Sequence, residues 1–526
     1  MFEKFNSVAL GVPAQQYYVR CHVSVERQVP VMTEFAVRLI HLTEKIEFEV
    51  FREYFGLPGH EANELVGVLK SEGLVQDIEG VLSLTSYALA RFVASQDGVP
   101  RFTKIVERQS RPIFNLLTFS PLKRARNGGY WDNTLDLNWE SAENSSSHTL
   151  DHATEAFHKY FNDIERLDKD DEDKRAYSVY KIEEITSGKR FNVPIPMDFY
   201  IDIDGNIDYQ LEDNSLLPDD LKSKLTQLTA DRVGKMVAHP DFFPEFPAVF
   251  DDSVLRKYMR EVTQSGASCV GTMSLKPSVR KEFLFSTYIR EVHAEGKVET
   301  YDAGKSQAVL GALYMAKNLE KLLAGLGKAL RHFANSKSAE TQFPAEMFWV
   351  IPDSELWGRT EMMKDAIFAI SKLIEKEWGK PVDIVAVCNS AQSDRKDSLL
   401  NKARLLLSAG FSDVLLGPSP AMSERFELLI LPGVHVAALY QWKSPASEFL
   451  SVPIGFISEY KKKLAKSQVF LRKVCSSKLH RAYWGNDDDG DGNRLILNDV
   501  SATDFLYLDA FTDVEVKVEV EVEVKG

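Results

Sequence analysis

The sequence predicts an α/β protein, mixed α+β overall, on three observations. From Met347 onward, short apolar runs alternate with amphipathic stretches of helical period, the rhythm of strands feeding helices. At 197–213, MDFYIDIDGNIDYQLED sets two alternating segments on either side of Asp204-Gly205-Asn206, the pattern of a β-hairpin. Between Val29 and Val93, helical periodicity gives way to a pair of short strands. A chain of 526 residues exceeds what one core usually supports. The changes of pattern divide it into residues 1–97, a mixed α/β middle region over 98–335, and an α/β domain over 336–526 that ends in a strand.

In the first part, Thr33 can cap a helix whose apolar face would use Phe35, Val37, Leu39, Ile40 and Leu42. A second helix over 47–55 ends at Gly56-Leu57-Pro58-Gly59. A third, HEANELVGVLKSEG, would bury Leu65, Val68 and Leu69 and stop at Gly73. LVQDIEGVLSLT then reads as two strands about an Asp/Glu-Gly turn, followed by a helix from Thr85 or Ser86 through Phe92.

Residues 127–180 are polar, acidic and poor in strand signals, which predicts a helix bracketed by loops. Residues 214–262 read as helical with a proline-rich loop at 240–247. ASCVGTMSL and FLFSTYIREV read as strands, and 304–334 as one long helix rich in Ala and Leu. In the last part, MFWVIP, VDIVAVC, DVLLG, FELLIL, VHVAALYQW and LSVPIGFIS are strands, with helices near 359–378 and 395–409 and a basic one over 459–475. The terminal DVEVKVEVEVEVK alternates Val and charge from Val514 to Val524, as a half-buried strand with a charged outer face would.

Hydrophobic content of 44% and charged content of 27% belong to a soluble globular protein. No apolar run reaches the roughly 18 residues that would span a bilayer, and the N-terminal MFEKFNSVALGVPAQQYY lacks a signal-peptide pattern. Cys21, Cys269, Cys388 and Cys475 lie far apart, which fits a reducing cytoplasm. The net charge of −14 argues against a generic nucleic-acid coat, yet the positive charge is concentrated. Arg101, Lys104, Arg108, Arg111, Lys123, Arg124 and Arg126 cluster over 101–126. Lys461, Lys462, Lys463, Lys466, Arg472 and Lys473 cluster over 459–481, with Lys478 and Arg481 beyond them. Both segments are expected to contact a nucleic-acid backbone, DNA in particular.

Three motifs carry possible chemistry. His148, His152 and Glu155 in SHTLDHATEAFH share one helical face, and HxxDH approaches the inverted zinc-peptidase pattern with Asp151 in the place of Glu. No downstream third ligand is evident, so an exposed polar helix explains them as well. Asp487, Asp489, Asp491 and Gly492 begin like an EF-hand loop, but Asn498 stands where a bidentate Glu belongs. No phosphate-binding GxxxxGK[ST] loop is present and no cofactor is expected. His435 interrupts an apolar strand, and a satisfied core histidine is its simplest explanation.

Two family resemblances add to this. Helix, helix, turn, helix and hairpin in that order, around FGLPGHEANELVGVLKSEGLV, resembles a winged-helix domain. Such a domain lays its third helix in the major groove. Here that helix starts with His60, Glu61, Asn63 and Glu64, and residues 25–92 hold six Lys/Arg against eleven Asp/Glu, so docking to a partner protein is the expectation. The C-terminal α/β unit resembles a degenerate phospholipase D-like fold. In that family a His attacks phosphorus while a Lys and an Asn bind the phosphoryl oxygens. His435 matches, but Ala437 replaces the Lys, Trp442 the Asp, Phe456 the Ser after Gly455, and Glu459 the Asn. His480 is the candidate for the second motif, with Ala482 in the place of Lys. The resemblances imply a non-catalytic nucleic-acid-binding or assembly component of a larger bacterial system, in genome defence or regulation. The alternatives are a phosphodiesterase, nuclease or metal-dependent hydrolase using His435, His480 or the His148–Glu155 face, and a protein-only scaffold.

Overall fold

The computed structural model describes residues 3–27, 30–93, 102–123, 131–137, 146–168, 177–212, 217–236, 245–264, 278–293, 300–335, 343–390, 394–418, 425–447, 449–475, 479–486 and 493–500. ASCVGTMSL, most of the 240–247 loop, Asp487 through Gly492 and the Val-rich terminus lie outside the described residues.

Strand β1 (Glu3–Arg27) leads to helix α1 (Val31–Thr43), strand β2 (Lys45–Glu47), helices α2 (Phe48–Phe55) and α3 (Gly59–Ser71), strands β3 (Val75–Ile78) and β4 (Val81–Leu84), and helix α4 (Ser86–Val93). Strands β5 (Phe102–Ser110), β6 (Ile113–Asn115), β7 (Pro121–Leu122) and β8 (Leu135–Asp136) precede helix α5 (Ser146–Asp168). A second long strand, β9 (Tyr177–Ile201), turns into β10 (Ile207–Leu211), and helices α6 (Asp219–Val233), α7 (Phe246–Val249) and α8 (Ser253–Lys257) follow. Next come β11 (Met259–Gln264), β12 (Ser278–Phe283), α9 (Phe285–His293), β13 (Thr300–Tyr301), β14 (Ser306–Leu310) and α10 (Ala316–Asn335). The α/β series is β15 (Glu346–Ile351), α11 (Glu361–Trp378), β16 (Asp383–Asn389), α12 (Lys396–Ser408) and β17 (Asp413–Gly417). It continues through β18 (Phe426–Leu431), β19 (His435–Lys443), β20 (Ser451–Ser458), α13 (Lys461–Val474), β21 (Leu479–Asn486) and β22 (Asn493–Val500). Among the described residues, no helix is long and apolar enough to cross a membrane.

The chain forms two units, each assembled from separated stretches rather than from the three consecutive parts 1–97, 98–335 and 336–526. One comprises Met1–Val12, Gly129–Glu140 and Asn192–Gly526; the other comprises Pro13–Gly128 and Ser141–Phe191.

In the smaller unit, β1 pairs antiparallel with β5, from Val19 opposite Ser110 to Arg27 opposite Phe102, and with β6. Ala153, Phe157, Phe161 and Ile164 of α5 share a core with Tyr17, Val19, Val23 and Phe114. The module over 31–93 has its own core, in which Val37, Ile40, Phe51, Val66, Leu69 and Leu82 are buried. Its three strands lie in the order β2-β4-β3. Glu79 and Gly80 form the β3–β4 turn, both with positive φ (53° and 84°), the backbone of a tight hairpin. Several expectations here are corrected. Thr33 does not cap α1: Pro30 occupies the N-cap position with no side-chain cap hydrogen bond, and Thr33 is buried inside the helix. Phe35, Leu42 and Val68 face solvent instead of the core.

In the larger unit, ten strands form one sheet in the order β13-β14-β20-β19-β18-β15-β16-β17-β21-β22. Only β15, β16 and β17 run parallel, because α11 and α12 make the crossovers that parallel neighbours require. The strands β17 to β20 are buried on both faces, so their sequences are continuous apolar runs with no alternation. One face of the sheet packs Trp349, Leu429 and Leu439 against Leu326 of α10 and Ile370 of α11. On the other, Phe426, Tyr440 and Phe456 meet Phe246 of α7, and Phe426 also meets Phe470 of α13. Gly455 permits the close approach of β20 to β19, since a Cβ there would lie 2.0 Å from the Ala438 carbonyl oxygen.

Three stretches of this unit depart from expectation. FLFSTYIREV is mostly helix α9, because Phe285, Tyr288 and Ile289 are buried at helical spacing. Residues 304–334 hold a strand before their helix, β14 pairing with β20. Residues 259–262, read as helical, belong to strand β11, which pairs with β12. The 197–213 hairpin is as expected: Met197–Ile201 pair with Ile207–Leu211, and Asp202 Oδ1 accepts from the Asp204 and Asn206 amides.

Candidate functional site

His435 begins β19 on the face toward α10 and is only 1% exposed. Neither ring nitrogen has a hydrogen-bond partner. Gly325 of α10 lies directly over the ring, and a Cβ there would sit 3.0 Å from Nε2. Burial pushes the imidazole pKa down to about 4, with Glu459 opposing. The pocket it lines, between Lys305, Lys328 and Glu459, has a volume of about 30 Å³. That holds a water molecule and excludes a phosphodiester. Burial works against ionisation of Glu459, but Lys328 (2.9 Å) and His332 (3.0 Å) hold its carboxyl below the ordinary range. Glu459 is therefore held as a carboxylate in the pocket beside the buried histidine.

His480 sits on β21, half-exposed, with Nδ1 2.7 Å from Asp499 Oδ1. Four strands separate β19 from β21 in the sheet, which places the two histidines about 24 Å apart at ordinary strand spacing. The runner-up catalytic pair is therefore not assembled.

The basic segments are dispersed in role. Arg101, Arg124 and Arg126 lie outside the described residues. Lys104 and Arg108 are on β5, opposite Val25 and Cys21. Arg111 is exposed with its guanidinium 5.6 Å from the Tyr18 ring centroid, and Lys123 is exposed after β7. On α13, Lys461 and Lys462 are exposed, but Lys462 and Lys466 both approach Asp251, at 3.4 and 4.0 Å. Lys463 is corrected outright. It is fully buried, with Nζ 2.8 Å from Asp302 and 3.3 Å from Ser306 Oγ, above the Phe456 ring. Asp252, buried at the start of α8, is the second acid that this lysine's charge acts on. Lys463 is a counter-ion of the core and is not available to phosphate. Arg472 is half-buried, Lys473 is exposed, and Arg481 pairs with Asp413 at 2.6 Å.

His152 and Glu155 are both exposed on α5, and the His152 ring rests 5.1 Å from the Phe119 ring. The His148 side chain lies outside the described residues. Among the described residues, no group of three or more His, Cys, Asp or Glu side chains could hold a metal ion.

No family model, curated protein or solved structure matches this chain. Its surface and cavities therefore carry the functional argument.

Ten of the eighteen large apolar side chains exposed among the described residues lie between Val31 and Leu89. On α1, Met32, Phe35 and Leu42 recur at helical spacing, the last 81% exposed, while the buried stripe of the same helix is Ala36, Val37 and Ile40. On α2, Val50 and Tyr54 repeat the pattern. Sequence periodicity fused the two stripes of α1 into one, because it reports spacing and not which side has a partner. A second feature had no sequence signal. Arg425, just before β18, and Gln441, near the end of β19, flank the Phe426–Tyr440 pair and line a pocket of about 210 Å³.

Proposed function

We propose that this protein is a non-catalytic assembly component whose 31–93 module is a winged helix turned to docking a basic partner protein. The order α1-β2-α2-α3-β3-β4 and the small β2-β4-β3 sheet support the winged-helix assignment. The observation that carries the docking role is the apolar row Met32, Phe35 and Leu42 on a module of net negative charge. Isolated exposed apolar residues are ordinary, but rows at helical spacing are where partner helices seat. The acidic surround repels phosphate and a second copy of the same module alike, and favours a cationic rim on the partner. The walled-in His435 supports the non-catalytic assignment.

A photo-crosslinking residue placed at position 35 in the native cell tests this. The expected product is a discrete adduct with one basic protein, abolished by Leu42→Ser while the melting temperature is kept. Adducts only with nucleic acid or with a second copy would overturn it.

A second reading, nucleic-acid binding through α13, is favoured by the exposed Lys461, Lys462 and Lys473. Lys461→Glu with Lys462→Glu should then abolish salt-sensitive retention of a labelled duplex. Unchanged retention at low salt removes that reading.

A further inference from the structure

We infer that the Arg425–Gln441 pocket binds a small carboxylate that carries its own hydrogen-bond donor, of which a free amino acid is the simplest case. Arg425 is 6% exposed, and neither its Nε nor its Nη1 has a hydrogen-bond partner. No acid forms an ion pair with it among the described residues. A guanidinium stays charged at any ordinary pH, and a buried charge without a counter-ion is strongly unfavourable. Beside it, Gln441 is 5% exposed; its Oε1 accepts from Ser451 Oγ at 3.3 Å, while its Nε2 is unpartnered. Two buried, unsatisfied donor groups thus line one pocket of about 210 Å³.

The same pocket also has acceptors in its lining. Asp353 and Glu355 line the pocket from the loop after β15, with Leu356 and Phe449 as apolar wall. That loop is held in place: Asn6 Nδ2 donates to the Leu356 carbonyl at 3.3 Å. The Tyr314 hydroxyl accepts from the Gly358 amide at 3.0 Å and donates to Asn6 Oδ1 at 2.9 Å. Glu355 is engaged by Arg232, which leaves the exposed Asp353 as the carboxylate open to a ligand's donor. A phosphate dianion would meet two carboxylates here. A zwitterion places its carboxylate on Arg425 and Gln441 and its ammonium toward Asp353. The pocket is smaller than the roughly 300 Å³ at the lower end of drug-sized sites, which suits a single small metabolite.

Calorimetry on the full chain tests the assignment with glycine, L-leucine and L-methionine, against 4-methylpentanoate, leucinamide and inorganic phosphate. At least one amino acid should bind saturably, 4-methylpentanoate more weakly, and leucinamide and phosphate not at all. Arg425→Met should weaken that binding roughly 10- to 100-fold without lowering the melting temperature of the unliganded protein. Gln441→Leu, a milder change, should weaken it less. The inference is overturned if no amino acid binds saturably, if phosphate or leucinamide binds as well, or if Arg425→Met binds like the parent. A melting temperature that falls in Arg425→Met without any ligand would assign this arginine to the fold instead. None of these outcomes bears on docking by the 31–93 module.

Discussion

His435 and Glu427 are opposite cases of the same physics. Both are buried in the larger unit and both are held neutral, the imidazole with a pKa near 4 and the carboxyl with one of about 7, burial being the main cause in each. Below pH 6.5 the unfolded chain protonates His435 and the folded protein does not, so its contribution is full above 6.5 and is lost as pH falls toward 4. Glu427 keeps its proton when folded, so its contribution is full below pH 4.5 and is lost as pH rises through 7. Between pH 4.5 and 6.5 the two slopes oppose each other, each being up to about 1.4 kcal/mol per pH unit. Urea unfolding should therefore show His435→Leu losing stability as pH rises from 4.5 to 7, and Glu427→Gln gaining it from 4 to 6.5. Parallel pH profiles in the two variants would falsify this. Lys463 is a third case: Lys463→Met leaves Asp302 and Asp252 without their cation and should cost about 3–5 kcal/mol. Lys462→Met, on an exposed partner of Asp251, should cost under about 1 kcal/mol. The lysine row at 461–463 was legible as charge, but sequence gives no sign of which of the three turns inward. That depends on Asp302, 161 residues away.

Among elements, those of the α/β series were the most legible, because each strand there is a short apolar run bounded by turn residues and joined to an amphipathic helix. DVLLG and FELLIL match β17 and β18 residue for residue. The long β1 was not foreseen, nor was β9 ahead of its hairpin arm Met197–Ile201. Each is 25 residues, and their polar, interrupted alternation resembles loop when read locally. Helix α9 was mistaken for a strand because aromatic and β-branched residues favour both states in a short window, and burial at Phe285, Tyr288 and Ile289 decides it. The β3–β4 turn allows a prediction at this scale. Glu79 holds a left-handed conformation that suits Asn far better, so Glu79→Asn should stabilise the 31–93 module by about 0.5–1 kcal/mol in thermal unfolding. Phe35→Ser with Leu42→Ser should leave that stability within about 0.5 kcal/mol, since neither side chain is in the core. A large loss would place them in a buried contact.

At the scale of the whole molecule, the division into parts was the least legible feature, since contact between distant stretches leaves no local mark. A fragment of 336–526 would lack β14, which covers β20, and α10, which covers His435 and Leu439. Such a fragment should aggregate or melt without a cooperative transition, whereas the intact chain should show one; a well-folded fragment would contradict the description of this sheet. The site at Arg425 was equally invisible, because an arginine ahead of an apolar strand looks like an ordinary flank until Gln441 and Asp353 are brought beside it.

The first dozen residues have a further consequence during synthesis. Asn6 and Leu356 are 350 positions apart yet bonded, so Asn6 leaves the ribosome long before that partner exists. At translation rates of roughly 5–20 residues per second, it waits about 20 to 70 s, while Pro13–Gly128 and Ser141–Phe191 have already emerged in full. The strand partner of Leu10, at Leu135, follows sooner, but the bonds from Asn6 to Tyr314 and Leu356 are absent for that interval.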